Sequence, residues 1–117
     1  MAIDLFAGVP VANYATAQEW YQRLFGAPPS FLPNSIEAVW EIAEHRFVFI
    51  EENPERAGTA RHLLFVDDLD GLVAAIAERG LDPARRETLP NGVRKVAYRD
   101  GDGNEIGFGG APLLANS

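Results

Sequence analysis

An α+β fold made of two tandem βαβββ modules is predicted by three features of the chain. Apolar residues alternate at period two over residues 3 to 11 and then change to helical spacing. The same change recurs from Ala60 onward at an offset of about 55 residues, which pairs Val11 with Val66, Asn13 with Asp68 and Tyr21 with Ile76. After each helix come only strand-like segments, so neither half is a βαβ unit of a doubly wound sheet. The 117 residues suit one compact domain, since domains usually take ~100 to 200. Its parts are a first module at about residues 1–52, a linker at 53–59 and a second module at about 60–111.

Ile3, Leu5, Ala7, Val9 and Val11 give the first strand one apolar face, and Pro10, which has no N–H, places it at an edge or near its end. Thr16 and Glu19 have the spacing of a capping box at the start of the first helix, with Asn13 as the alternative cap. Ala17, Trp20, Tyr21 and Leu24 form its buried stripe, and Gly26 followed by Pro28 and Pro29 stops it. A short strand near Phe31 follows, then strands at 36–43 and 46–51 around a Glu44-His45 turn. In the second module, Leu64 and Val66 mark the first strand and Asp68 caps a helix with Leu69, Leu72, Val73 and Ile76 on one face, ended by Gly80. Strands at 86–89 and 93–99 join through an Asn91-Gly92 hairpin turn. The last strand, 105–109, follows the turn Asp100-Gly-Asp-Gly-Asn104.

Apolar residues make up 47% and charged residues 23%, enough to fill a core and too apolar for a disordered chain. The net charge of -7 opposes nucleic acid and anionic lipid. It is uneven: residues 1–58 carry eight acids and three bases, and residues 59–117 carry nine and seven. Without cysteine there is no disulfide and no thiolate, which suits a cytoplasmic location. No apolar run reaches the ~18 residues of a membrane span, so neither membrane nor nucleic acid is an expected partner. Asp100, Asp102 and Asn104 match the first oxygen positions of an EF-hand loop, but Glu105 stands where the loop needs glycine, so a turn is expected there.

The duplicated unit, with Val9-Pro-Val-Ala-Asn13 before a helix containing Trp20-Tyr21 and ending Leu24-Phe-Gly26, then Leu64-Phe-Val-Asp-Asp-Leu69, then Asp100-Gly-Asp-Gly-Asn104, resembles the vicinal oxygen chelate superfamily. That superfamily includes glyoxalase I, extradiol dioxygenases and the fosfomycin- and bleomycin-resistance proteins. The resemblance implies curved mixed sheets around a cleft, helices outside, and assembly as a homodimer. Metal-dependent members place a histidine on the first strand of each module and carboxylates on later strands. The matching positions here are Phe6, Arg61, Gly107 and, on the strand 46–51, Glu51. Phe6 and Gly107 offer no donor and Arg61 is a permanent cation, so no metal and no other cofactor is expected.

Alternation places Arg61, Leu63 and Phe65 toward the cleft and His62 toward the helix. His45 belongs to an exposed turn. Phe6, Trp40, Phe49, Leu63, Phe65 and Gly107 are the expected lining of an acidic and aromatic cleft, with Trp40 open to a core reading. The expected function is binding of a small, neutral or cationic organic molecule rather than catalysis. The alternatives are a metal-independent enzyme, with Arg61 stabilising an oxyanion and Glu105 or Glu51 as base, and a divalent-metal lyase, isomerase or dioxygenase.

Overall fold

In the computed structural model the two halves fold alike, and residues 1–113 are described; the last four residues of the predicted domain lie outside the described residues. The first half runs β1 (Leu5–Val11), α1 (Tyr14–Phe25), β2 (Phe31–Asn34), β3 (Glu37–Ala43) and β4 (Arg46–Glu52). The second runs β5 (Arg61–Phe65), α2 (Leu69–Glu78), β6 (Arg85–Thr88), β7 (Arg94–Arg99) and β8 (Glu105–Gly110). Each makes a four-stranded mixed sheet, ordered β1-β4-β3-β2 and β5-β8-β7-β6. The pairs β1–β4 and β5–β8 are parallel and the others antiparallel.

Alternation gives each sheet a face under its helix and an open face. Val9, Val11, Ala38, Trp40, Val48 and Ile50 lie under α1, and Val96, Tyr98, Ile106 and Phe108 lie under α2; all are buried and join one core cluster with Tyr21, Leu24, Leu69 and Ile76. Neither module can bury its sheet alone, and the shared core is the physical reason for the duplication.

Three local expectations are corrected. β1 starts at Leu5 rather than Ile3, because β4 begins opposite Leu5 at Arg46 and leaves Ile3 exposed without a partner. The cap of α1 is Asn13, whose Oδ1 accepts from the Thr16 N–H at 2.9 Å, so the helix starts one turn earlier than the capping-box reading places it. Asn91-Gly92 does not form a two-residue turn: Leu89 N–H bonds to Val93 O around a three-residue loop, with Gly92 at φ +88°. Elsewhere Gly26 (φ +75°) ends α1 as expected, while α2 ends at Glu78 with Arg79 as its cap, one residue before Gly80.

The modules meet through side chains at the edges of β1 and β5, not through a backbone ladder. Asp100 is 8% exposed and Asn104 fully buried. One Asp100 oxygen accepts from the N–H groups of Asp102 and Asn104 at 2.9 and 3.0 Å, and the other from the Tyr21 hydroxyl at 2.7 Å and Asn104 Nδ2 at 2.8 Å. Asn104 Nδ2 also donates to Pro10 O at 2.7 Å, and its Oδ1 accepts from Ala60 N–H at 2.9 Å. The aspartate-rich turn is thus a bolt between modules, with the Asp100 oxygens committed to protein donors. Burial, then the Asp100 charge and hydrogen bond and the Asp102 charge, hold the Tyr21 phenol well above its ordinary range. Arg79 completes the contact by capping α1, donating to the carbonyls of Arg23 and Leu24.

The hydroxyl of buried Tyr98 has no hydrogen-bond partner among the described residues. An unpaired buried hydroxyl forfeits its hydration. Tyr98→Phe is therefore expected to be neutral or stabilising by up to about 1 kcal/mol. A loss of more than about 1 kcal/mol in urea unfolding would reveal a bond this structure lacks.

Candidate functional site

The open faces carry the chemistry. On the first sheet, Phe6, Gly8 and Pro10 of β1 lie beside Phe47, Phe49 and Glu51 of β4, with Glu37, Val39 and Glu41 of β3 beyond. Phe6 and Phe47 stack at 4.3 Å with planes 6° apart, and Phe31 meets Phe47 edge-on at 6.4 Å. The tip of the Phe49 ring lies over Gly8, where an added Cβ would come within 2.7 Å of its Cζ. This face is an aromatic plate with three carboxylates and no basic side chain.

On the second sheet a pocket of about 260 Å³ is lined by Arg61, Leu63, Arg85, Glu87, Lys95, Ala97, Glu105 and Gly107. The Glu105 side chain is 13% exposed and holds three guanidiniums: Arg61 Nε at 3.2 Å, Arg85 at 3.3 and 3.4 Å through its two terminal nitrogens, and Arg99 at 3.7 Å. Partial desolvation, which alone would raise the Glu105 pKa, is outweighed by the hydrogen bonds and charges of Arg85 and Arg61, so the carboxyl is held below its ordinary range.

A carboxylate so held is a weaker base than a free one, which bears against Glu105 as a general base. Glu105 stays ionised to lower pH in the folded chain than in the unfolded one. Its contribution to stability is therefore fully present above the ordinary carboxylate pKa and is lost as pH falls through the lowered value. The three arginines are 41 to 78% exposed, so solvent screens the effect and it is modest. The stability gap between the parent chain and Glu105→Gln is expected to narrow as urea midpoints are followed from about pH 7 to about pH 3. A gap independent of pH would show that the arginines leave Glu105 unperturbed.

The structure thus divides the expected lining between two faces. Phe6, Phe49 and Glu51 belong to the first; Arg61, Leu63, Glu105 and Gly107 meet in the second-sheet pocket, which Glu51 does not line. Phe65 is exposed and borders an apolar groove of about 770 Å³ at the module junction, with Leu5, Phe25 and Leu72. Trp40 is corrected: it is 2% exposed, packs under α1 against Phe25 and donates from Nε1 to Ala27 O at 2.9 Å, so it is a core residue and not a wall for ligand. The carboxylates and aromatic rings lie on the first face, whereas the second pocket sets Arg61, Arg85 and Lys95 beside Glu87 and Glu105, with Arg99 3.7 Å from Glu105. Arg85, Lys95, Arg99 and Phe47 were missed. Period two along Lys95-Val-Ala-Tyr-Arg99, with Val96 and Tyr98 buried, is the signal that places Lys95 and Arg99 on the open face.

His62 faces the helix side as expected, and its Nε2 donates to Gly8 O at 2.8 Å. His45 is exposed in its turn at φ +62°, with Nδ1 2.6 Å from Asp4. At the positions where the superfamily resemblance implies a divalent metal, Phe6 is committed to ring stacking, Gly107 has no side chain and Arg61 is paired with Glu105. Among the described residues no group of three His, Cys, Asp or Glu side chains converges as an ion would require. The residues present do not fit the metal.

No protein-family model and no curated protein matches the sequence. Among solved structures, the chain is similar to a glyoxalase/bleomycin resistance protein from Catenulispora acidiphila DSM 44928, with 49% identity and a TM-score of 0.91 over 95% of this chain and 100% of that one. A bleomycin-binding protein solved with bleomycin matches at 16% identity and a TM-score of 0.75, over 94% and 99% of the two chains. TnmS3, an antibiotic-binding protein from Streptomyces sp. CB03234, matches at 24% and 0.70, over 97% and 98%. The last two likenesses are of fold alone.

Proposed function

Because the chain belongs to the glyoxalase/bleomycin-resistance family of the vicinal oxygen chelate superfamily, we propose that it is a cytoplasmic, metal-free binding protein that takes up a small organic molecule on its open sheet faces. The observation that carries this reading is the side-chain set at the superfamily's metal positions. Three of the four, a stacked phenylalanine, an ion-paired arginine and a glycine, make a surface for organic contact, and Glu51 alone does not make a coordination shell. The aromatic plate of Phe6, Phe47 and Phe31 offers planar contact area to a ring or an unsaturated chain. That two fold relatives are described as binding bleomycin and an antibiotic supports the same use of the fold.

The reading includes a homodimer. Phe6, Phe31, Leu63 and Phe65 are large apolar residues, each at least 45% exposed, and they lie on both open faces of one chain. A two-fold pair that covers these residues with a second copy encloses the cleft.

Native mass spectrometry of protein purified without chelator tests the proposal. A dimer mass with no stoichiometric transition metal is the expected result. A bound zinc, nickel, manganese or iron ion that disappears in Glu51→Ala or His62→Ala would overturn the metal-free reading.

A further inference from the structure

We propose that the second-sheet pocket is an oxyanion site: it takes the carboxylate, phosphate or sulfonate of a small molecule whose apolar part lies over Gly107 and Ala97. The inference rests on the reading that the open faces bind ligand, and it reverses the expected polarity of that ligand. The charge balance of the pocket carries it. Glu87 and Lys95 are directly opposed across β6 and β7. That leaves Arg61, Arg85 and Arg99 around the single carboxylate of Glu105, a surplus of two positive charges on one face of a chain whose net charge is -7.

Gathering three guanidiniums is unfavourable unless anionic oxygens share them. Each guanidinium has five N–H donors, and Glu105 occupies one of Arg61 and two of Arg85. The unused donors match the fork geometry that recognises a planar or tetrahedral oxyanion.

The floor of the pocket fits an attached apolar group. Gly107 and Ala97 are opposed across β7 and β8, and Leu63 stands beside Gly107, its Cδ1 3.3 Å from where a Cβ would lie. Glu105 then competes with the ligand for the arginine donors.

Phenyl phosphate, benzylammonium and benzyl alcohol, titrated into the full chain and followed by arginine Nε–H and backbone amide NMR signals, test this. Phenyl phosphate is expected to shift Arg61, Arg85 and Gly107, more weakly as salt is added. Arg85→Gln is expected to weaken it about tenfold or more, and Glu105→Gln to tighten it by removing the competing carboxylate. Urea unfolding of each variant establishes that it is folded. Weaker phosphate binding in Glu105→Gln would overturn the competition for the arginine donors and with it the proposal.

Benzylammonium or benzyl alcohol shifting Phe6 and Phe47 while phenyl phosphate leaves the arginines unmoved would overturn the oxyanion site and keep the binding reading. No shift on either face from any probe would overturn both. If phenyl phosphate fails to bind and Arg85→Gln dissociates the dimer, the arginine surplus belongs to Glu37, Glu41 and Glu51 of a second copy, and the proposal is wrong.

Discussion

Asn104→Ala is expected to cost about 3 to 5 kcal/mol, a large share of the ~5 to 15 kcal/mol that stabilises a domain. The side chain is fully buried and makes three hydrogen bonds, to Pro10 O, Asp100 Oδ2 and Ala60 N–H. Its loss strands a carbonyl of the first module and an N–H of the second, and each stranded group costs about 1 to 3 kcal/mol. Asp100 also loses one of the donors that keep its buried charge compensated. Because the bond to Pro10 crosses between modules, and Asp100 carries the Tyr21 bond across as well, unfolding by urea is expected to lose cooperativity as well as midpoint. Tyr21→Phe removes one bond to the same carboxylate and is expected to cost about 1.5 to 3 kcal/mol. In a double-mutant cycle the two substitutions are expected to be non-additive, since both act on Asp100. Full additivity, or an Asn104→Ala cost under about 1 kcal/mol, would show that the modules are held by core packing alone.

Gly107→Leu is expected to abolish ligand binding at the second-sheet pocket, by more than about 30-fold, while leaving the fold within about 1.5 kcal/mol of the parent. The Cβ meets Leu63 Cδ1 at 3.3 Å and two backbone carbonyl oxygens at 3.6 and 3.7 Å, so only the tip of one flexible side chain must yield. The rest of the new side chain projects over the pocket floor into the space of about 260 Å³ that a ligand would use. Titration of phenyl phosphate beside a urea melt separates the two effects. Retained binding in a folded variant would place the ligand elsewhere. Gly8 offers the opposite outcome: a Cβ there strikes the Phe49 ring at 2.7 Å, so Gly8→Leu is expected to disrupt the aromatic plate itself.

Much of this architecture was legible because alternation is a local code. Period two places Arg61, Leu63 and Phe65 on one face of β5 and His62 on the other, and the 55-residue echo of Asn13 in Asp68 pairs the two residues that cap the helices. The thresholds between elements were less clear. Thr16 and Glu19 have the spacing of a cap, yet Asn13 is the residue whose side chain reaches the first-turn N–H, because β1 ends at Val11 and the chain turns at once.

The site was legible one face at a time and no further. Alternation assigns Phe6 and Leu63 each to an open face, but it does not say that those faces belong to separate surfaces of one chain. Nor does it weigh charge: the acidity of the first module was visible as a count, while the arginine surplus of the second appeared only when β6, β7 and β8 brought Arg85, Arg99 and Glu105 together. Trp40 illustrates the remaining ambiguity. On β3 its neighbours Val39 and Glu41 point to the open face, and only the pairing of Trp40 with Val48 and its contact with Phe25 commit it to the core. The bolt at Asp100 was hidden for a different reason. Tyr21 and Asp100 are 79 positions apart, and no spacing rule links them.

The measurement that bears most directly on this account is an amide chemical-shift map of chelator-treated protein titrated with a panel of small aromatic molecules. The account predicts shifts confined to the open-face residues of the two sheets, unchanged when divalent metal is restored. Binding that appears only after metal is added, or shifts centred on the helical surface, would contradict it.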